Sequence, residues 1–174
     1  MSAYNSEIAQ ALRRTADLLE IEGASPPAVR AYRNAARTIA ALSSDVAHLV
    51  AQHEDLSELP GISSGMGSEI VELVQTGTTA QIEEIQARIS PDLVELAKTS
   101  GLGRKRLGSI IRKLGISTLK ELEVAAQRHR ICQLPGFGDK TEARVLEATA
   151  RTRSAHRQLP QEASHPRSVR DVSG

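Results

Sequence analysis

The sequence predicts an all-α fold, and three observations predict it. Aromatic residues are only 2% of the 174, with no Trp and with Phe137 standing beside Tyr4 and Tyr32 alone. Ala, Leu and Ile must therefore build the core, which favours closely packed helices over a sheet of aromatic and β-branched residues. Apolar residues recur at helical spacing, and no segment alternates as a strand does. Finally, three glycine-rich turns, in "ELPGISSGMGSEIVEL", "TSGLGRKRLGSIIRKL" and "QLPGFGDKTEARVLEA", each lead straight into an amphipathic run. With 40% hydrophobic and 25% charged residues, one or two small domains are expected.

The elements follow in order. Asn5 is placed as an N-cap for "SEIAQALRRTADLLEIEG", where Ile8, Ala11, Leu12, Leu18 and Leu19 share a face and Gly23 ends the run. The tandem prolines of "ASPPAV" force an extended approach. A second helix through "VRAYRNAARTIAALS" buries Val29, Tyr32, Ala36, Ile39 and Leu42, and a short third, "SDVAHLVAQ", takes Ser44 as its cap. After the first glycine turn come "EIVELVQTG", closed by Gly77, then "AQIEEIQARI" and "PDLVELAKTS", with Pro91 in the first turn of the last. The second turn opens "KRLGSIIRKLGI", followed by "TLKELEVAAQRHRI" with Thr118 near its cap, and the third opens "KTEARVLEATARTRSAHR". From residue 158 apolar periodicity gives way to Pro and Ser, so residues 158–174 are expected to be a disordered tail. The boundaries are set at 1–90 for a front helical domain holding the first turn and at 91–157 for a second holding the other two.

Several chemistries find no support. Cys132 has no partner for a disulfide, and its neighbours Ile131 and Leu134 suggest a small buried hydrophobe rather than a reactive thiol. His48, His53, His129, His156 and His165 show no ligand spacing of the HExxH kind, so no metal site is expected. No apolar run reaches the roughly 18 residues of a membrane span and the N-terminus lacks a secretory h-region, which makes a cytoplasmic location without membrane association the expectation.

The net charge of +1 conceals a division. Residues 1–97 hold six Lys/Arg against fourteen Asp/Glu, and residues 98–174 hold sixteen against seven, balances of −8 and +9. The back half attracts polyanions and the front half repels them on average.

In each turn an apolar residue stands between glycines or their substitute: Gly61-Ile62-Ser63, Gly101-Leu102-Gly103 and Gly136-Phe137-Gly138. Seven positions beyond the last of each triplet comes another apolar residue, Ile70, Ile110 or Val145. The middle residue is expected to point inward and clamp two helices. The amides around it and at the start of the next helix would then face out as an anion site suited to a phosphate. In the second turn Arg104, Lys105 and Arg106 follow the glycines directly, and in the third Lys140, Thr141 and Arg144 do, with Asp139 working against them. The first has Ser63 for its second glycine and no Lys or Arg from Glu58 to Leu73. For Gly61, Ser63 and Gly65 a structural brace and a DNA contact both stay open.

This grammar resembles the helix-hairpin-helix motif, which grips the sugar-phosphate backbone. More specifically, "NSEIAQALRRTADLLEIEGASPPAVRAYRNAARTIAAL", followed by "LSELPGI" and "EIVELVQTG", resembles the N-terminal DNA-binding region of bacterial X-family DNA polymerases, relatives of DNA polymerase beta. The resemblance runs from about Asn5 to Leu146. It implies DNA as partner, double-stranded and gapped or nicked, a role in repair, and sequence-independent binding through Gly101, Gly103, Arg104, Lys105, Arg106, Gly136, Gly138, Lys140, Thr141 and Arg144. No cofactor is implied, with room left for a monovalent cation at a hairpin.

Two parts of the family's chemistry are missing from the sequence. Where the deoxyribose phosphate lyase of beta-like members has its lysines stand Ala28, Gly65 and Glu69, and no lysine precedes Lys98. After Leu146 too few residues remain for a two-metal polymerase palm, so no enzyme activity is expected. Beside DNA binding stand two other readings, a scaffold docking its acidic half on a repair protein and a remnant lyase using another amine.

Overall fold

In the computed structural model, which describes residues 2–158, the chain is all-helical. Nine α-helices occur among the described residues: α1 (Ala3–Glu22), α2 (Pro26–Ala41), α3 (Val46–Ala51), α4 (Ser64–Thr76), α5 (Ala80–Arg88), α6 (Asp92–Thr99), α7 (Arg104–Leu114), α8 (Leu119–Gln127) and α9 (Asp139–Gln158). A 3₁₀ turn, Leu56–Glu58, precedes the first glycine turn. No described helix is long and apolar enough to cross a membrane. The tail expected from residue 158 lies, apart from Gln158 itself, outside the described residues.

The helix boundaries correct three details of local chemistry. Ser2, not Asn5, caps α1 by accepting the Tyr4 amide. Asn5 is instead fully buried inside the helix, where its Nδ2 donates to the Ser44 carbonyl and its Oδ1 accepts from the Val46 amide, both at 2.8 Å. A buried amide side chain needs partners, and Asn5 finds them on the α3 entrance. That entrance is capped by Asp45 rather than Ser44, with the Ala47 amide 2.9 Å from its carboxylate. The prolines at 26 and 27 open α2 instead of breaking it, because the first turn has no intrahelical acceptor for the amides they lack. Pro91 caps α6 from just outside, while Thr118 caps α8 in a reciprocal capping box with Glu121.

One continuous apolar core runs through the described residues, built from Ala, Leu, Ile and Val. α1 is its axis and touches α2, α3, α4, α5, α6 and α7. Ile70, Ile110 and Val145 are all fully buried, so each glycine turn feeds a helix whose second turn is anchored in the core. Tyr32, on the buried face of α2, donates its hydroxyl to Glu69 of α4 at 2.6 Å, and Thr79 donates to the same carboxylate. Glu69 is thereby committed to bracing α2 against α4.

The front and back halves meet where α7 lies against the C-terminal end of α1. A methyl group on Gly108 would come within 2.5 Å of the Ile21 carbonyl oxygen, so only glycine permits this approach. Arg112 Nη1 then donates to that same carbonyl at 2.8 Å, satisfying an acceptor the helix end leaves free. We expect Gly108→Ala to cost about 1–3 kcal/mol of stability through overpacking against backbone. Gly65→Ala, at an exposed helical position with nothing within 4 Å, should instead gain about 0.5–1 kcal/mol. Urea denaturation of the two variants checks both signs.

Candidate nucleic-acid interface

All three turns use a first glycine with positive φ, Gly61 at 75°, Gly101 at 66° and Gly136 at 83°. Ile62 and Leu102 point into the core as expected, each 5% exposed. Phe137 does not follow them: it is half-buried, and its ring is covered by charge. The guanidinium of Arg106 lies 5.3 Å from the ring centroid and the Lys113 ammonium 5.8 Å. Contacts of this kind contribute about 0.5–1 kcal/mol each at exposed sites.

The turns differ in how the next helix begins. Ser63 caps α4, its hydroxyl accepting the Met66 amide at 3.2 Å. Thr38 of α2 donates to the Pro60 carbonyl at 2.6 Å, tying the same turn down. α7 starts from Gly103 in a conformation (φ 81°, ψ 157°) that side-chain-bearing residues avoid, and no side chain caps it. The first amides of α7 are therefore not covered by a cap, at the positive end of an 11-residue helix. α9 begins after Gly138, whose carbonyl accepts from Thr141 and Glu142.

The second and third turns form one surface. Arg106, from the first turn of α7, donates to the Gly136 carbonyl at 3.2 Å while stacking on Phe137. Gly101, Gly103, Lys105, Arg106, Gly136, Gly138, Lys140 and Arg144 are all exposed. Among the described residues no carboxylate stands within 4.0 Å of Lys105, Lys140 or Arg144. Lys140 and Arg144 are four residues apart on α9 and share its face.

Two of the residues expected at this surface sit elsewhere. Thr141 is buried at 9% exposure, and its amide donates to the Gly138 carbonyl, so little of it is open to a ligand. Arg104 turns back onto α1, its Nε 2.6 Å from Glu20 and 3.2 Å from Asp17. Arg33 of α2 donates to the same Glu20 oxygen at 2.6 Å. Burial alone would raise the Glu20 carboxyl, but the hydrogen bonds from Arg104 and Arg33 prevail and hold it below the ordinary glutamate value. Arg104 thus braces the two halves of the chain. At roughly a third exposure such a pair is partly screened and contributes at most about 1 kcal/mol.

Behind the third turn the structure assembles a group that sequence spacing did not suggest. Glu142, 4% exposed, accepts the amides of Ile131 and Cys132 at 3.1 and 3.0 Å and lies 2.7 Å from His129 Nδ1. Cys132 is half-buried, not fully so, and its sulfur joins His129 and Glu142 in a cluster whose donor atoms lie within 4.8 Å of one another. The carboxylate's partners explain its burial: it staples the loop after α8 to the start of α9. Only the fold brings these residues together, from positions ten to thirteen apart in the chain.

A family model described as a helix-hairpin-helix domain matches residues 3–79, and one described as a SAM-like helix-hairpin-helix tandem matches residues 93–151. The chain is 32% identical over 145 residues to the DNA polymerase/3'-5' exonuclease PolX of Bacillus subtilis (strain 168). The aligned stretch is 83% of this chain and 25% of that protein, so the chain spans a quarter of this relative's length.

The Glu142 staple carries a pH dependence. Burial would raise its carboxyl, but the Cys132 amide and His129 outweigh that and hold it below the ordinary value. A depressed folded-state pKa contributes stability that is present above the unfolded carboxyl pKa, about 4.3, and is lost as pH falls through the folded value. Glu142→Gln should therefore cost about 1–3 kcal/mol at neutral pH. The difference from wild type should shrink below about pH 4.3, as read by denaturant titration across pH 3–7.

Proposed function

The chain belongs to the helix-hairpin-helix family, as a region of the kind found in PolX-like proteins, and from that premise we propose that it is a sequence-independent binder of double-stranded DNA. The observation that carries this reading is the joining of the second and third turns by Arg106. It ties the uncapped start of α7 to the third turn, and Lys105, Lys140 and Arg144, which follow these two turns, are all exposed. Amides and cations placed this way meet phosphates and carry no information about base identity. Gly101, Gly103, Gly136 and Gly138 let a strand approach the backbone, and Phe137, half-buried under Arg106 and Lys113, is not offered for base stacking.

The preferred DNA is gapped or nicked and the context is repair, in keeping with a relative that is named as a polymerase and exonuclease. The role assigned to this chain is grip, without catalysis. At the positions where a lyase lysine would act, Glu69 serves as a hydrogen-bond acceptor for Tyr32 and Thr79. The first turn, with its helix already capped by Ser63, acts as a brace.

If the surface neutralises about 2–4 phosphates, affinity for a duplex should fall roughly ten- to a hundredfold between 50 and 200 mM salt. Lys105→Ala with Lys140→Ala should lower the slope of log affinity against log salt by about 0.9 for each phosphate no longer neutralised. Fluorescence anisotropy with intact, nicked and gapped duplexes measures both, and a flat salt response of the wild type counts against the reading.

A further inference from the structure

The acidic balance of residues 1–97 hides where the arginines of that half are. Arg33 and Arg37 stand four residues apart on α2, and Arg13 and Asp17 four apart on α1. The packing of α1 on α2 turns all four toward one cavity of about 290 Å³ that is open to solvent. Asp17 is its acidic member, and the carboxylate is occupied from below by Arg104 at 3.2 Å and by Arg33 at 3.7 Å. Arg33 is further engaged by Glu20. Arg13 and Arg37 are exposed, and among the described residues neither has a carboxylate within 4.0 Å. A scaffold of ion pairs accounts for Arg33, but not for the two further guanidinium groups that line the same cavity.

Residues of this cavity also connect to two further recesses. Toward the back half, Arg33 and Arg104 share one oxygen of Glu20, and Glu20 lines a second recess with Leu102, Gly103, Arg104, Lys105 and Arg106. Toward the first turn, Arg37 lines a recess with Thr38, Leu59 and Pro60, immediately ahead of Gly61. The first hairpin, which has no cation in its own sequence, thus has Arg37 beside it. The exposed cations run from Arg37 and Arg13 past Glu20 to Lys105 and Arg106.

We infer that Arg13 and Arg37, with Arg33 holding the floor, form a further phosphate site that continues the DNA track onto the acidic half. The ligand is a backbone phosphate of the same bound DNA, and the inference rests on the DNA-binding reading above. Guanidinium groups suit this ligand because they stay charged and donate in a fork matching phosphate oxygens. Asp17 and Glu20 limit the attraction to the mouth of the cavity and steer the strand along the arginine side.

The test is the salt dependence of binding to a duplex long enough to pass all three turns. Arg13→Ala with Arg37→Ala should reduce the slope of log affinity against log salt by about 0.9 for each phosphate released from neutralisation, about 1.8 for two. Arg13→Lys with Arg37→Lys should keep the wild-type slope, because counterion release counts charges. Both pairs leave Arg33 on Glu20, and their thermal melting should match the wild type. The inference is overturned if the Ala pair keeps the wild-type slope while Lys105→Ala with Lys140→Ala loses it. It is also overturned if the Lys pair falls as far as the Ala pair, which would mark a structural role. A wild type without salt-dependent binding overturns this inference and the DNA-binding reading together.

Discussion

The contact of α7 with the end of α1 is the constraint on which the rest of the structure depends. Gly108 lets the helices approach until the Ile21 carbonyl would touch a methyl group, and Arg112 caps that carbonyl. Arg104 closes the seam through Glu20 and Asp17. None of these bonds is large alone, but together they fix the angle at which the second hairpin leaves α1. Arg106 then passes that orientation to the third turn. The seam adds to the contacts that α1 makes with α5 and α6, and α6 in turn packs on α7 and α9.

The three turns share a backbone and differ at the helix that follows. The backbone requirement is shared, a glycine at positive φ followed by an inward apolar residue or, in the third turn, a half-buried ring. What differs is whether the next helix spends its first amides internally. Ser63 uses a hydroxyl to occupy one of them, whereas Gly103 brings no side chain and leaves them uncovered. The distribution of charge follows the same division, since Lys105 and Arg106 adjoin the open helix start and no cation follows Ser63 directly.

Much of this was legible in the sequence, for a physical reason. Helical periodicity, glycine punctuation and the spacing that buries Ile70, Ile110 and Val145 are properties of neighbouring residues, and a chain can be read for them directly. Where structure and sequence part, the causes are long-range. Asn5 has the chemistry of a cap, but the packing of α3 against it supplies better partners. Arg104 belongs by position to the second turn, and by energy to Glu20, 84 residues away. Phe137 has the chemistry of a core residue, but the fold brings Arg106 and Lys113 over its ring. The Arg13, Arg33 and Arg37 cluster was hidden by averaging charge over a half-chain, although Arg33 and Arg37 four residues apart on one helix were a visible signal.

The proposed function has the second and third hairpins gripping phosphates together, while Ser63 occupies the Met66 amide in the first. Amide chemical-shift mapping on addition of a nicked duplex tests it most directly. The largest shifts are expected at Gly101 to Arg106 and Gly136 to Lys140, with the capped amide of Met66 moving least. Shifts concentrated at Met66, with Gly101 to Arg106 unmoved, would overturn that proposal.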